Sequence, residues 1–269
     1  MRACLIFWDG QYVRMSWERT LVCSALWAAG MSLSAVEPLK EKLAAPLVAA
    51  DFECWEQGAV LVAGGWTTNQ DRSGFNWFFT VSEILEVEVG GKKMRGRFRK
   101  VGDLEMAVYQ RMQRMDDAAF LTAFGKLHEQ RGVADHEYWN EVRDGAVFYR
   151  DNNTEDDGFH KADVAFPKDL QPGMKFQSYG MEVKVVDYKK EMANPLGACE
   201  AVRMDFLSGG EEIDGERQLF YRIENWYGKG LSNLTGRVVE LENGDDKEGR
   251  VMEETGLHRV ILPADKAKK

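Results

Sequence analysis

Residues 218–242, QLFYRIENWYGKGLSNLTGRVVELE, decide the fold. On the first arm Leu219, Tyr221 and Ile223 alternate with Gln218, Phe220, Arg222 and Glu224. On the second arm Leu234, Val238 and Leu241 are apolar, with Arg237 and Glu240 between them. Successive side chains of a strand point to opposite faces, so this period of two buries one face and wets the other. Gly228 and Gly230 relax the backbone where the chain reverses. The stretch reads as two strands joined by a glycine-bearing bend.

The same style fills the chain from residue 169 to residue 263. Pro172-Gly173 opens it, and residues 174–177 and 181–188 alternate around Gly180. Asn194, Pro195 and Gly197 form a turn, after which residues 199–207 (CEAVRMDFL) read as a strand. Asn243-Gly244-Asp245-Asp246 is a hairpin-type turn, residues 258–262 close the sheet, and residues 264–269 are a polar tail. Strands recurring with little helix between them favour an antiparallel meander, either a half-barrel or a small sandwich.

Residues 36–168 mix helix and strand. Residues 37–50, rich in Ala, Leu and Lys, predict a helix that Pro46 interrupts. Residues 59–67 predict a strand, and residues 75–89 and 92–101 a hairpin about Gly90-Gly91, with basic residues opposite Glu86 and Glu88. Lys92, Lys93, Arg95, Arg97, Arg99 and Lys100 then read as the solvated face of a strand. From residue 103 to 130 the period becomes helical, with Asp103 and Asp116 as candidate caps. The methionines of this segment read as core packing rather than a ligand groove. Residues 147–149 return to strand. The fold class expected is α+β, mainly antiparallel β: a curved, half-barrel or sandwich-like sheet with a short helical hairpin packed on it.

The N-terminus reads as an address. Residues 20–33 carry no charge, Arg19 precedes them, and Ser32, Ser34 and Ala35 close the run. A short apolar core with a basic residue before it and small residues after it is how a secretory signal reads, and the run is short for a bilayer span. The predicted signal is residues 1–35, with Met15 as an alternative start. Its removal leaves Cys54 and Cys199, which an oxidising compartment could bridge. Two separate thiols buried as small apolar groups is the competing reading.

Composition excludes some partners. A net charge of −9 over 269 residues argues against nonspecific nucleic-acid binding. Hydrophobic content of 44% and charged content of 29% are those of a globular chain. No metalloprotease helix, nucleophile elbow, phosphate loop or dinucleotide fingerprint occurs. His128-Glu129 and His136-Glu137 lack the i, i+4 spacing of a zinc helix, and Gly132 interrupts any single helix joining them. His160 with Asp163 could be a general base and its orienting partner, but no nucleophile is marked beside them. The loop 151–158, DNNTEDDG, offers hard oxygen ligands in Asp151, Asn153, Glu155 and Asp157, which suit Ca²⁺. The loop lacks the glycine and the final glutamate of a calcium site, which favours a solvated turn. No other cofactor is implied.

Aromatic residues recur near strand ends: Trp66, Trp77, Phe78, Phe79, Trp139, Phe148, Tyr149, Trp226 and Tyr227. On a sheet such rings stack on sugars or line a cavity, or they simply fill the core. Trp66, Trp77, Trp139, Trp226 and Tyr227 are the candidate ligand-binding residues.

The run Asn225-Trp226-Tyr227-Gly228-Lys229-Gly230-Leu231, followed by Arg237-Val238-Val239-Glu240, resembles the last hairpin of various exported bacterial β-sheet proteins. In these a Trp/Tyr-Tyr-x-x-Gly-Val-Gly bend precedes a final strand. Residues 232–236 stretch the bend here, and the likeness is confined to this hairpin. It implies a periplasmic or extracellular sheet protein and transfers no catalytic residue. The reading taken is a secreted or periplasmic non-enzymatic binding protein with an aromatic-rich sheet surface. Its ligand is apolar or glycan-like, or a partner protein. The alternative is a secreted hydrolase acting through His160, Asp163 and the acidic loop.

Overall fold

The structure is a computed structural model of the chain. It describes residues 4–8, 11–15, 43, 45–68, 75–89, 92–104, 106–131, 136–151, 163–213, 216–241 and 249–263. In chain order the strands begin with β1 (Cys4–Trp8), β2 (Gln11–Met15) and β3 (Leu47–Val48). They continue through β4 (Val60–Thr68), β5 (Phe75–Val89) and β6 (Lys92–Leu104) to the helices α1 (Met106–Met112) and α2 (Asp117–Arg131). Next come β7 (His136–Arg143), β8 (Ala146–Asp151), β9 (Asp163–Phe166), β10 (Asp169–Leu170) and β11 (Lys175–Ser178). The chain ends with β12 (Met181–Asn194), β13 (Gly197–Ile213), β14 (Glu216–Gly228), β15 (Ser232–Leu241) and β16 (Gly249–Ile261).

Twelve strands make one antiparallel sheet in the order β11-β12-β13-β14-β15-β16-β4-β5-β6-β7-β8-β9. Neighbours in this sheet are neighbours in sequence, except that β16 returns to pair with β4. The sheet curls into a half-barrel. Phe166 on β9 meets Phe176 on β11 at 6.4 Å, and also Phe206 on β13 and Tyr227 on β14. Tyr149 on β8 likewise lies 4.2 Å from Tyr179 beside β11, between ring centroids. The two end strands therefore meet through aromatic side chains, and β10, paired with β3, bridges them. Strands β1 and β2 pair with each other as a separate ribbon.

The strand pair read first from the sequence stands as expected. Tyr221 and Ile223 are buried while Phe220 is exposed. Leu234, Val238 and Leu241 are all buried, and a register shift against β16 falls between Val238 and Val239. The inner face of the half-barrel joins Val147, Phe166, Val183, Val185, Met204, Phe206, Tyr221 and Ile223 into one apolar core. At the far end Cys54, Leu61, Ile84, Leu234 and Val260 continue the interior. Cys54 and Cys199 are free thiols, the first buried, the second partly buried against that cluster.

The helical pair sits on the opposite face, where Met112, Phe120 and Phe124 pack on Val60, Val62 and Val81. Arg259 of β16 fastens it. Its Nη2 donates to the carbonyls of Gln113 at 3.2 Å and Met115 at 2.8 Å, and its guanidinium lies over the Phe120 ring. Asp116 caps α2, its Oδ1 accepting from the Ala119 amide at 2.8 Å.

Three local expectations differ. Asp103 lies within β6, which runs on to Leu104 and sets Asp103 opposite Phe78, rather than directly before α1. Leu47–Val48 is strand rather than helix, followed by a 3-10 turn over Ala49–Phe52. Pairing with β10 and an amide bond from Ala49 to the Lys168 carbonyl at 2.8 Å override the local helix preference. The predicted hairpin turn at Gly90-Gly91 lies outside the described residues, but its arms pair Glu86 with Arg95 and Glu88 with Lys93.

Candidate functional site: an ionic lattice between two indoles

The outer face of the sheet carries the chemistry. Register places Asp205, Glu224, Arg237, Glu254, Trp66 and Trp77 in one row across β13, β14, β15, β16, β4 and β5. The adjoining row runs Arg203, Trp226, Thr235, Gly256, Gly64. Arg203 and Asp205, and Arg222 and Glu224, stand two apart on single strands, so each pair shares this face.

These side chains bind one another. Arg203 grips Asp205 as a fork, Nε to Oδ1 at 2.7 Å and Nη2 to Oδ2 at 2.9 Å. Arg203 Nη2 also lies 3.2 Å from Glu224 Oε1, to which Arg222 Nε donates at 2.8 Å. Arg237 Nη1 is 3.7 Å from Glu224 Oε2, and its Nε is 2.9 Å from Glu254 Oε1, close but off the hydrogen-bond axis. Trp66 Nε1 donates to Glu254 Oε2 at 3.1 Å and ends the chain of contacts. Three guanidinium groups and three carboxylates cancel in formal charge. Burial pushes the Asp205 carboxyl above its ordinary range, and the Arg203 bond works against that without cancelling it.

At the other end the Lys189 ammonium stands 4.4 Å from the centre of the Trp226 ring. Beside the second row, His258 Nε2 lies 3.1 Å from the Gly64 carbonyl, so Nε2 carries the proton there. Burial pushes the His258 imidazole below its ordinary value, the Gly64 bond opposing. A lattice of this kind offers paired donors and acceptors in fixed positions. With its carboxylates held by guanidinium groups, it suits recognition of a polar ligand better than proton transfer.

The five aromatic residues singled out in the sequence lie on four strands, β4, β5, β7 and β14. Trp66 and Trp77 are direct cross-strand partners. Trp226 stands three strands from Trp66, on β14, and Trp139 lies on β7, opposite Arg150 of β8. Tyr227 points inward against Phe166, its hydroxyl accepting from Asn225 Nδ2 at 3.3 Å. Asp163 opens β9 opposite Tyr149, and Asp151 ends β8. His160, Asn153, Glu155 and Asp157 lie outside the described residues. The lattice itself was missed. Its signal was there, in Arg-x-Asp and Arg-x-Glu on polar strand faces, but sequence does not say which strands lie side by side.

The sequence matches no family model and no curated protein. Two solved structures are similar in shape. One is a Bacteroides fragilis chain provisionally named as an exported protein with a YmcC-like fold, at a TM-score of 0.45 and 10% identity. The other is a Parabacteroides distasonis chain provisionally named as a lipoprotein, at 0.42 and 7%. Each comparison covers 78% of this chain and 98% of the other. At these values the functional reading stands on this chain's own residues.

Proposed function

We propose that this is an exported, non-enzymatic binding protein that holds its ligand on the outer sheet face between Trp66 and Trp226. The observation that carries the reading is the charge-balanced lattice, whose side chains hold one another in place, flanked by two indoles. Pre-ordered polar groups beside aromatic surface lower the entropic cost of binding. Export is supported by the uncharged run 20–33 behind Arg19 and its small-residue close. Among the described residues no helix is long and apolar enough to cross a membrane, a statement that leaves strands aside.

The test uses protein purified from its own host. Its intact mass should correspond to a chain beginning after Ala35; a mass retaining residues 1–35 contradicts export. Its melting temperature should rise with at least one ligand among maltotriose, cellotriose, N,N′-diacetylchitobiose and palmitate. Trp66→Ala and Trp226→Ala should each abolish the rise. A rise that survives both substitutions places the ligand elsewhere.

A further inference from the structure

Glycine inside a strand weakens it, by about 0.5–1 kcal/mol relative to alanine in regular structure. It is kept where a backbone bends or where something approaches closely. Four strand glycines have an internal reason. A Cβ on Gly65 would meet the Glu254 carbonyl oxygen, and one on Gly249 would meet that of Glu240. A Cβ on Gly236 would meet Asn225 Oδ1 at 2.7 Å, and one on Gly228 would meet Leu234 Cδ1 at 2.7 Å. Gly256 differs. The nearest atom to its Cβ position is the Leu234 carbonyl oxygen at 4.0 Å, and its φ is not in the left-handed region. Nothing within the described protein forbids a side chain there.

Gly256 and Gly64 are register partners, but Gly64 is buried, so the backbone left bare on the outer face is that of Gly256. With strands about 4.8 Å apart, the bare strip is one strand wide, at Gly256 between Thr235 and the buried Gly64. Arg237, Glu254 and Trp66 line it along the neighbouring row. Exposure rises along the lattice toward this strip. The side chains of Glu224 and Asp205 are only 9% and 10% exposed, whereas Arg237 and Glu254 are 35% and 42% exposed. The polar groups open to a ligand are thus those beside the bare strip.

We propose that this strip is a subsite for one pyranose residue of a neutral glycan, with Trp66 as its apolar wall and Glu254 and Arg237 as its hydrogen-bonding pair. The proposal rests on the reading of the outer face as a binding surface. A vicinal diol matches the pair: one hydroxyl donates to the Glu254 carboxylate while its neighbour accepts from the Arg237 guanidinium. Trp66, fixed by its bond to Glu254, supplies aromatic surface to the C–H side of the ring. An apolar ligand would strip water from Glu254 and Arg237 without replacing its hydrogen bonds, which is costly. A strongly charged ligand would meet both signs at once.

The experiment is calorimetric titration of the full chain with maltotriose, cellotriose and N,N′-diacetylchitobiose. Wild type should bind at least one of them. Gly256→Val should weaken that binding at least tenfold while its melting temperature stays equal or rises, since a β-branched residue replaces glycine in a strand. Glu254→Gln should weaken it as well. Undiminished binding by Gly256→Val overturns the subsite and leaves the broader binding reading intact. Binding of palmitate with none of the three sugars overturns the glycan and again spares the broader reading. A fall of many degrees in the melting temperature of Gly256→Val would mean that the glycine serves the fold, which also overturns it.

Discussion

Ser232 is the residue whose surroundings explain most about the first hairpin. Its φ of 58° lies in the left-handed region, an unusual place for a side chain. The fold holds it there by two buried bonds. Its hydroxyl donates to Glu53 Oε2 at 2.5 Å and accepts from the Cys54 amide at 2.9 Å. With the Gly230 amide donating to the Asp51 carbonyl, these bonds fasten the segment after β3 to the bend between β14 and β15. Ser232→Ala should lower stability by about 1–3 kcal/mol in urea unfolding, the cost of leaving buried partners unmet. Glu224→Gln should cost about 2 kcal/mol by the same measurement, because it weakens charge-assisted bonds that three arginines share. The alternation that places Arg222 and Glu224 on one face was legible in the sequence. The role of Ser232 was not, because its partners are 178 and 179 residues away.

Among the elements, the helical pair shows where local sequence suffices. Asp116 was readable as a cap because the signal lies within one turn: an acidic residue whose oxygen takes the amide three residues on. Asp116→Ala should cost about 1 kcal/mol in thermal or urea unfolding. Asp103 carries the same local signal but lies inside β6, whose pairing with β5 continues past it. Leu47–Val48 repeats the lesson in the other direction, its two-residue pairing with β10 winning over helix-forming composition. Arg259 was silent in the sequence as well. It acts across elements, holding two carbonyls at the turn after α1, so its meaning appears only once β16 lies beneath the helices.

At the scale of the molecule, the meander was legible from turn spacing, because each hairpin is a local event. The closure of β16 on β4 was not, and the candidate site depends on it. Without that pairing Trp66 and Glu254 are 188 residues apart and have no reason to meet. A second cross-sheet cluster contributes to the pH response. Glu200 accepts from Lys229 Nζ at 2.7 Å and from the Tyr188 hydroxyl at 2.8 Å. Those bonds, the Lys229 one first, hold the Glu200 carboxyl below its usual value. The Glu200 contribution to stability is therefore present above pH 4.5 and lost as pH falls through the lowered value. The bond to Glu200 raises Lys229, and burial followed by Glu200 raises Tyr188. Their contributions are present below about pH 10 and lost as pH rises through their folded values. Glu200→Gln should flatten the melting-temperature profile at both ends, most visibly below pH 4.5.

The most direct measurement is fluorine NMR of the chain labelled with 5-fluorotryptophan, titrated with maltotriose, cellotriose and N,N′-diacetylchitobiose. The eight tryptophans, five of them after Ala35, give a countable spectrum, and Trp66→Phe assigns the resonance in question. Trp55 is the internal control, since its Nε1 is bound to the Ala50 carbonyl at 3.0 Å beneath the opposite face. A saturable shift of the Trp66 resonance with Trp55 unmoved is the expected result. A Trp66 resonance that stays fixed while other tryptophans shift would place the ligand elsewhere and contradict the outer-face site.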